Sequence, residues 1–118
     1  MFEKLDASHG NVVGYKVVGT ITKQDYDVFV PQVEALVEDE GSIRMLLDMT
    51  AFKWEEVGAW LADWEFGRKY HDTIEKMALV GDRKWEEWLG KIAGKFYAQE
   101  AEFFSSADPD AAWAWLEE

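Results

Sequence analysis

The chain contains no cysteine, which removes disulfides, thiolate metal sites and a cysteine nucleophile from consideration. That composition fits a reducing cytoplasm. Only two histidines occur, His9 and His71. Neither sits one helical turn from another good ligand in a metal-binding pattern, so no metal and no cofactor is expected. Basic residues are scarce: 12 Lys and Arg stand against 24 Asp and Glu, a formal net charge of −12. A surface of that sign repels phosphate backbones and anionic lipid headgroups. Nucleic acid is therefore not an expected partner, and membrane contact is peripheral and apolar at most. No apolar run approaches the roughly 20 residues that span a bilayer. Met1 to Gly10 has neither the basic start nor the apolar stretch of a signal peptide, so a cytoplasmic location is expected. A phosphate-binding loop is missing too. Gly81-Asp82 leads into a helix pattern, but one glycine followed by an aspartate forms no phosphate cradle.

Apolar and aromatic residues are plentiful, at 48% and 15% of 118 residues. That is enough for one domain, residues 1–118, with its own core. No repeat, linker or low-complexity tract interrupts it. Phe2 to Ala7 and Val12 to Thr20 read as two strands joined through the turn cluster His9-Gly10-Asn11. Thr22 reads as the N-cap of a helix, with Asp25 three residues on as an imperfect capping box. Phe29, Val33, Leu36 and Val37 mark its apolar face, and Gly41 its end. Pro31 should kink this helix or split off its first turn. Ile43 to Met49 is a short apolar run that reads as a central strand. A second helix is expected from about Trp54 to Tyr70, with Val57, Trp60, Leu61 and Trp64 on one face. Lys76 to Val80 reads as a buried strand. Asp82 caps a third helix carrying Trp85, Trp88, Leu89 and Ile92. Glu102 to Ser105 reads as a last strand, and Asp108-Pro109 as the start of a final helix with Ala112, Trp113 and Leu116. The order β-β-α-β-α-β-α-β-α predicts an α/β domain with a five-stranded mixed sheet, largely parallel, with helices mainly on one face.

Three stretches carry a resemblance to a known family: Leu46-Leu47-Asp48-Met49-Thr50, Ala78 to Trp88 (Ala-Leu-Val-Gly-Asp-Arg-Lys-Trp-Glu-Glu-Trp), and Ala111-Ala112-Trp113-Ala114-Trp115-Leu116. Together they resemble the SpoIIAA-like family, which is related to the STAS domains and similar to the CRAL-TRIO fold. The resemblance implies a mixed sheet with helices on one side. It further implies small apolar ligand binding and peripheral membrane association. The sequence departs from the anti-anti-sigma pattern, which places a phosphorylatable serine at the start of the helix after the Leu-Asp-Leu-Ser-like strand. The matching region, Phe52 to Gly58, has no serine or threonine, so the phosphorylation switch is not expected.

Seven tryptophans in 118 residues are the main unusual feature. Trp60 and Trp64 are four apart and Trp85 and Trp88 three apart, so each pair shares a helix face. The plain reading makes them core residues, each burying about 150–250 Å². The alternative uses the indole N–H at a pocket wall. The leading expectation is a non-catalytic module that binds a small apolar or lipid-like molecule. Its pocket would lie between the sheet and the second and third helices, walled by Trp60, Trp64, Trp85 and Trp88, with Phe52 and Trp54 at the mouth. The runner-up is a STAS-type protein-interaction module lacking the serine switch, working through an interaction loop with Asp48, Thr50, Glu55 and Glu56. Trp115, read as exposed, would need cover and so allows a homodimer. An enzyme using Asp48 and His71 has no evident third partner. The plain readings of those two are a turn-bonding strand end and a helix C-cap.

Overall fold

The computed structural model describes residues 1–82 and 97–118. The third helix expected after Asp82, with Trp85 and Trp88, lies outside the described residues. Five strands form one sheet: β1 (Phe2–Lys4), β2 (Val12–Ile21), β3 (Ile43–Glu55), β4 (Ile74–Gly81) and β5 (Glu100–Ser105). Three helices are described: α1 (Lys23–Glu40), α2 (Val57–Tyr70) and α3 (Pro109–Glu117). Strand order follows the chain, β1-β2-β3-β4-β5. Only β1 runs antiparallel to its neighbour; the other three pairings are parallel. The mixed sheet anticipated from the element order is therefore the sheet observed.

Alternation along the strands splits the core in two, because successive side chains point to opposite faces. Val13, Tyr15, Val17, Met45, Met77 and Leu79 meet α1 and α2 through Phe29, Val33, Ala59, Phe66 and Tyr70. Val12, Leu46, Ala78 and Val80 face the other way and meet Ala112 and Leu116 of α3. Covered on both faces, β4 reads as the continuous apolar run Met-Ala-Leu-Val, as expected of a central parallel strand.

Local chemistry sets the helix ends. Thr22 accepts a hydrogen bond from the Asp25 backbone N–H at 3.2 Å, and the Asp25 carboxylate accepts from the Thr22 N–H at 2.8 Å. This closes a full capping box with aspartate in the usual glutamate position. Gly41 ends α1 with φ 82°, a conformation that glycine adopts without steric cost. Pro31 neither splits nor ends α1, which runs through it. It sits on the solvent side, where water can satisfy the Asp27 carbonyl that loses its partner. Asp108 accepts from the Ala111 N–H at 3.3 Å and Pro109 follows in the first turn of α3. The last turn of α3 holds no basic residue of its own. Cations from the sheet serve it instead: Arg44 donates to the Leu116 and Glu118 carbonyls at 2.6 and 3.1 Å, and Lys76 to the Trp115 carbonyl at 3.1 Å. Positive charge there complements the helix dipole.

Gly14 lets α3 approach β2. A Cβ built there would lie 2.5 Å from Trp113 Cη2 and 2.9 Å from Cζ2. Gly14→Ala should therefore destabilise the chain by about 1–3 kcal/mol through overpacking. A urea melt is the check, with Gly58→Ala as the control, since a Cβ at Gly58 meets nothing within 4 Å. Trp115, expected to be exposed, is half-buried. Its ring lies 5.7 Å from Phe104 and 5.0 Å from the Lys76 ammonium.

Candidate functional site

β3 is longer than its apolar run suggested. The sequence placed its end at Met49 and put Trp54 in the following helix; the strand continues to Glu55, and α2 starts at Val57. The reason is β2, whose edge runs on to Ile21 and pairs with β3 as far as Ile21↔Glu55. Pairing with β4 ends at Asp48↔Val80, so the second half of β3 projects beyond it. The β2–β3 register slips just after Asp48, between Lys16 and Val18. There the Asp48 carboxylate accepts from the Thr50 N–H at 3.0 Å and the Thr50 hydroxyl at 2.6 Å. Asp48 thus seals a bulge in its own strand. Thr50 is exposed, as is Glu56, the N-cap of α2, whose side chain makes no capping bond. His71 is the C-cap of α2, and no contact between it and Asp48 occurs among the described residues.

α2 turns an unexpected side to the protein. The stripe Val57, Trp60, Leu61 and Trp64 was read as its packing face. The buried residues are instead Ala59, Phe66, Gly67 and Tyr70. Ala59 and Gly67 are small enough to bring the helix close to α1, and Phe66 packs 5.3 Å from Phe29. The larger stripe faces outward: Val57 is 68% exposed, Leu61 65%, Trp60 52% and Trp64 49%. Trp54 on β3 joins it at 61%. The Arg68 guanidinium lies 5.1 Å from the Trp64 ring, and Trp60 Nε1 donates to the Glu55 carbonyl at 3.3 Å. So Trp54, Trp60 and Trp64 do not point between helix and sheet, where a pocket was expected. Phe52 is half-buried against the α1–α2 core. Trp85 and Trp88 lie outside the described residues.

Beneath this outward face lies a cluster that the sequence did not signal. The Tyr26 hydroxyl of α1 donates to Glu55 Oε1 at 2.8 Å. The Tyr97 hydroxyl donates to both Asp63 carboxylate oxygens at 2.8 Å. Burial first, and then the Asp63 charge, push Glu55 up to about 7, against a smaller downward pull from Tyr26. Burial and the two carboxylates hold both phenols well above their usual range. Glu55, placed by the sequence in an interaction loop, is therefore a strand residue whose carboxylate accepts from Tyr26 of α1. Tyr26, Asp63 and Tyr97 come from three separate segments, and no spacing rule links them.

The strand order and the two-faced helical cover define an α/β fold of the SpoIIAA-like type. The family model described as SpoIIAA-like matches residues 12–117, and the chain belongs to that family. A crystal structure of a DUF3478-family protein with a SpoIIAA-like fold from Shewanella loihica PV-4 is similar to it. That similarity has a TM-score of 0.81 at 24% identity, covering 98% of this chain and 92% of the other. No curated protein matches the chain. Among the described residues, no helix is long and apolar enough to cross a membrane.

Proposed function

We propose that the chain is a non-catalytic protein-interaction module whose docking surface is the outward face of α2 together with Trp54. One observation carries this reading: the helix buries its smaller apolar face and, together with Trp54 of β3, presents three tryptophans, a leucine and a valine to solvent. Contiguous apolar surface of this kind marks an interaction site, and tryptophan is enriched among residues that dominate binding energy. Family membership supports a regulatory or interaction role. Charge selects the partner class. A net charge of −12 opposes approach to anionic lipid and to a second copy of the same chain. The complementary occupant is a protein with an apolar groove and a basic rim.

The test compares the wild type with Trp60→Ala/Trp64→Ala. Partners are captured at low salt, and each is then purified and titrated. Direct binding of a basic partner, lost in the variant and weakened by salt, supports the reading. Binding of the wild type to neutral vesicles, lost in the variant, would replace it with a membrane role. A co-purifying apolar molecule seen by native mass spectrometry and lost on Trp64→Ala would restore the ligand pocket.

A further inference from the structure

The turn between β1 and β2 supports a second conclusion, independent of any partner. His9 and Val12 exchange backbone hydrogen bonds at 2.9 Å in both directions, which fixes where the His9 side chain leaves the turn. Its ring reaches across to the last turn of α3. Nε2 lies 2.6 Å from the Glu117 carboxylate, and Nδ1 lies 2.9 Å from the Ala7 carbonyl. A carboxylate and a carbonyl are both acceptors. A neutral imidazole carries one N–H and can satisfy only one of them, whereas the imidazolium donates to both. The arrangement therefore suits the charged form of the ring.

The charge matters because of where it falls. α3 has no basic residue in its last turn, and Arg44 from β3 and Lys76 from β4 already donate to the carbonyls there. His9 adds a third cation from a third segment. Of these three side-chain types, imidazole is the one that changes charge near neutral pH. Among the described residues, Glu117 of α3 is the charged group that bears on His9, and its own turn supplies the uncharged Ala7 carbonyl.

We propose that His9 is a proton-dependent latch that ties the β1–β2 turn to the end of α3, and that loss of its charge loosens the last turn of that helix. α3 covers Val12, Leu46, Ala78 and Val80, so the latch acts on the face of the sheet opposite α2. The direction follows from linkage. The Ala7 carbonyl first, and then the Glu117 carboxylate, hold His9 above its ordinary value of 6.5, against a partial offset from desolvation. The latch is thus complete below about 6.5 and is lost as pH rises through the raised midpoint of the folded chain. Both side chains are more than half exposed, so the tie is modest and is screened by salt.

Proton NMR of the imidazole from pH 5 to 9 reads the midpoint, with the His9 signal identified by its absence in His9→Asn. The midpoint should lie above 6.5, and Glu117→Gln should bring it down. Hydrogen exchange of the last-turn amides of α3, corrected for intrinsic exchange chemistry, reads the helix. Their protection should fall about two- to fivefold across the His9 titration and should not respond in Glu117→Gln. Amides of β4 should not follow the titration in either chain. A His9 midpoint at or below 6.5 would overturn the latch. So would a midpoint that Glu117→Gln leaves unmoved, or α3 protection that ignores the titration. Any of these results leaves the docking reading intact, because the tryptophan variants test that on α2.

Discussion

Replacing Trp60 or Trp64 with alanine is expected to weaken partner binding on the order of 30-fold for each single change, about 2 kcal/mol, while leaving the fold intact. The size follows from what an indole contributes at the centre of a desolvated patch. Each ring is about half exposed in the free chain, so a partner can cover its remaining surface. The small cost to stability follows from the same exposure. Trp64 loses its contact with the Arg68 guanidinium, worth about 0.5–1 kcal/mol at an exposed site. Trp60 loses one long hydrogen bond to the Glu55 carbonyl. Alanine returns a few tenths of a kcal/mol in helix propensity at each position. Isothermal titration against the purified partner, beside a urea melt of the free chain, separates the two effects. A variant that binds as tightly as the wild type would dismiss the outward face as a docking surface.

Phe29→Ala should be the most damaging replacement in the described core. Its ring stacks on Phe2 at 4.0 Å and meets Tyr15 edge-on at 4.9 Å, Tyr26 at 6.3 Å and Phe66 at 5.3 Å. It therefore joins β1, β2, α1 and α2 through one side chain, which is only 3% exposed. Truncation leaves a void that four rings on separate elements cannot collapse to fill. The expected loss is about 3–5 kcal/mol, a large part of the ~5–15 kcal/mol that stabilises a domain of this kind. The melting temperature should fall by roughly 10–20 °C. Val28→Ala, one residue away but 63% exposed, should cost no more than about 0.5 kcal/mol. Calorimetry of the two variants is the check. Similar losses in both would mean that Phe29 is not the hub its contacts suggest.

Element order and sheet type were legible because short apolar runs and capping signals are local. Thr22 with Asp25, Gly41, and Asp108 with Pro109 each announce a helix end within four residues of chain. The end of β3 was not legible, since only the length of the β2 edge fixes it, and that edge lies thirty residues upstream. The orientation of α2 failed for a different reason. The helix has two apolar stripes, and size alone pointed to the one with tryptophans. What decides the packing face is close approach, which favours Ala59 and Gly67, and this depends on α1. Phe66, outside that stripe, faces the core together with Ala59, Gly67 and Tyr70. The Tyr26–Glu55 and Tyr97–Asp63 hydrogen bonds were invisible for a related reason: each joins segments that only the fold brings to one point in space.

Because each strand lies beside its sequence neighbour, a nascent chain can lay the sheet down in order as it leaves the ribosome, at about 5–20 residues per second. The face beneath α1 and α2 can then close early. The opposite face cannot, since Val12, Leu46, Ala78 and Val80 wait for Ala112 and Leu116. Until α3 docks, that side of the sheet lacks its cover among the described residues, and like chains on one messenger can meet there. A chain cut after Asp108 would hold that state permanently and should show concentration-dependent light scattering that the full chain lacks; a monomeric truncated chain would refute this. Among the described residues, α3 is thus the element that turns a sticky half-sandwich into a closed one.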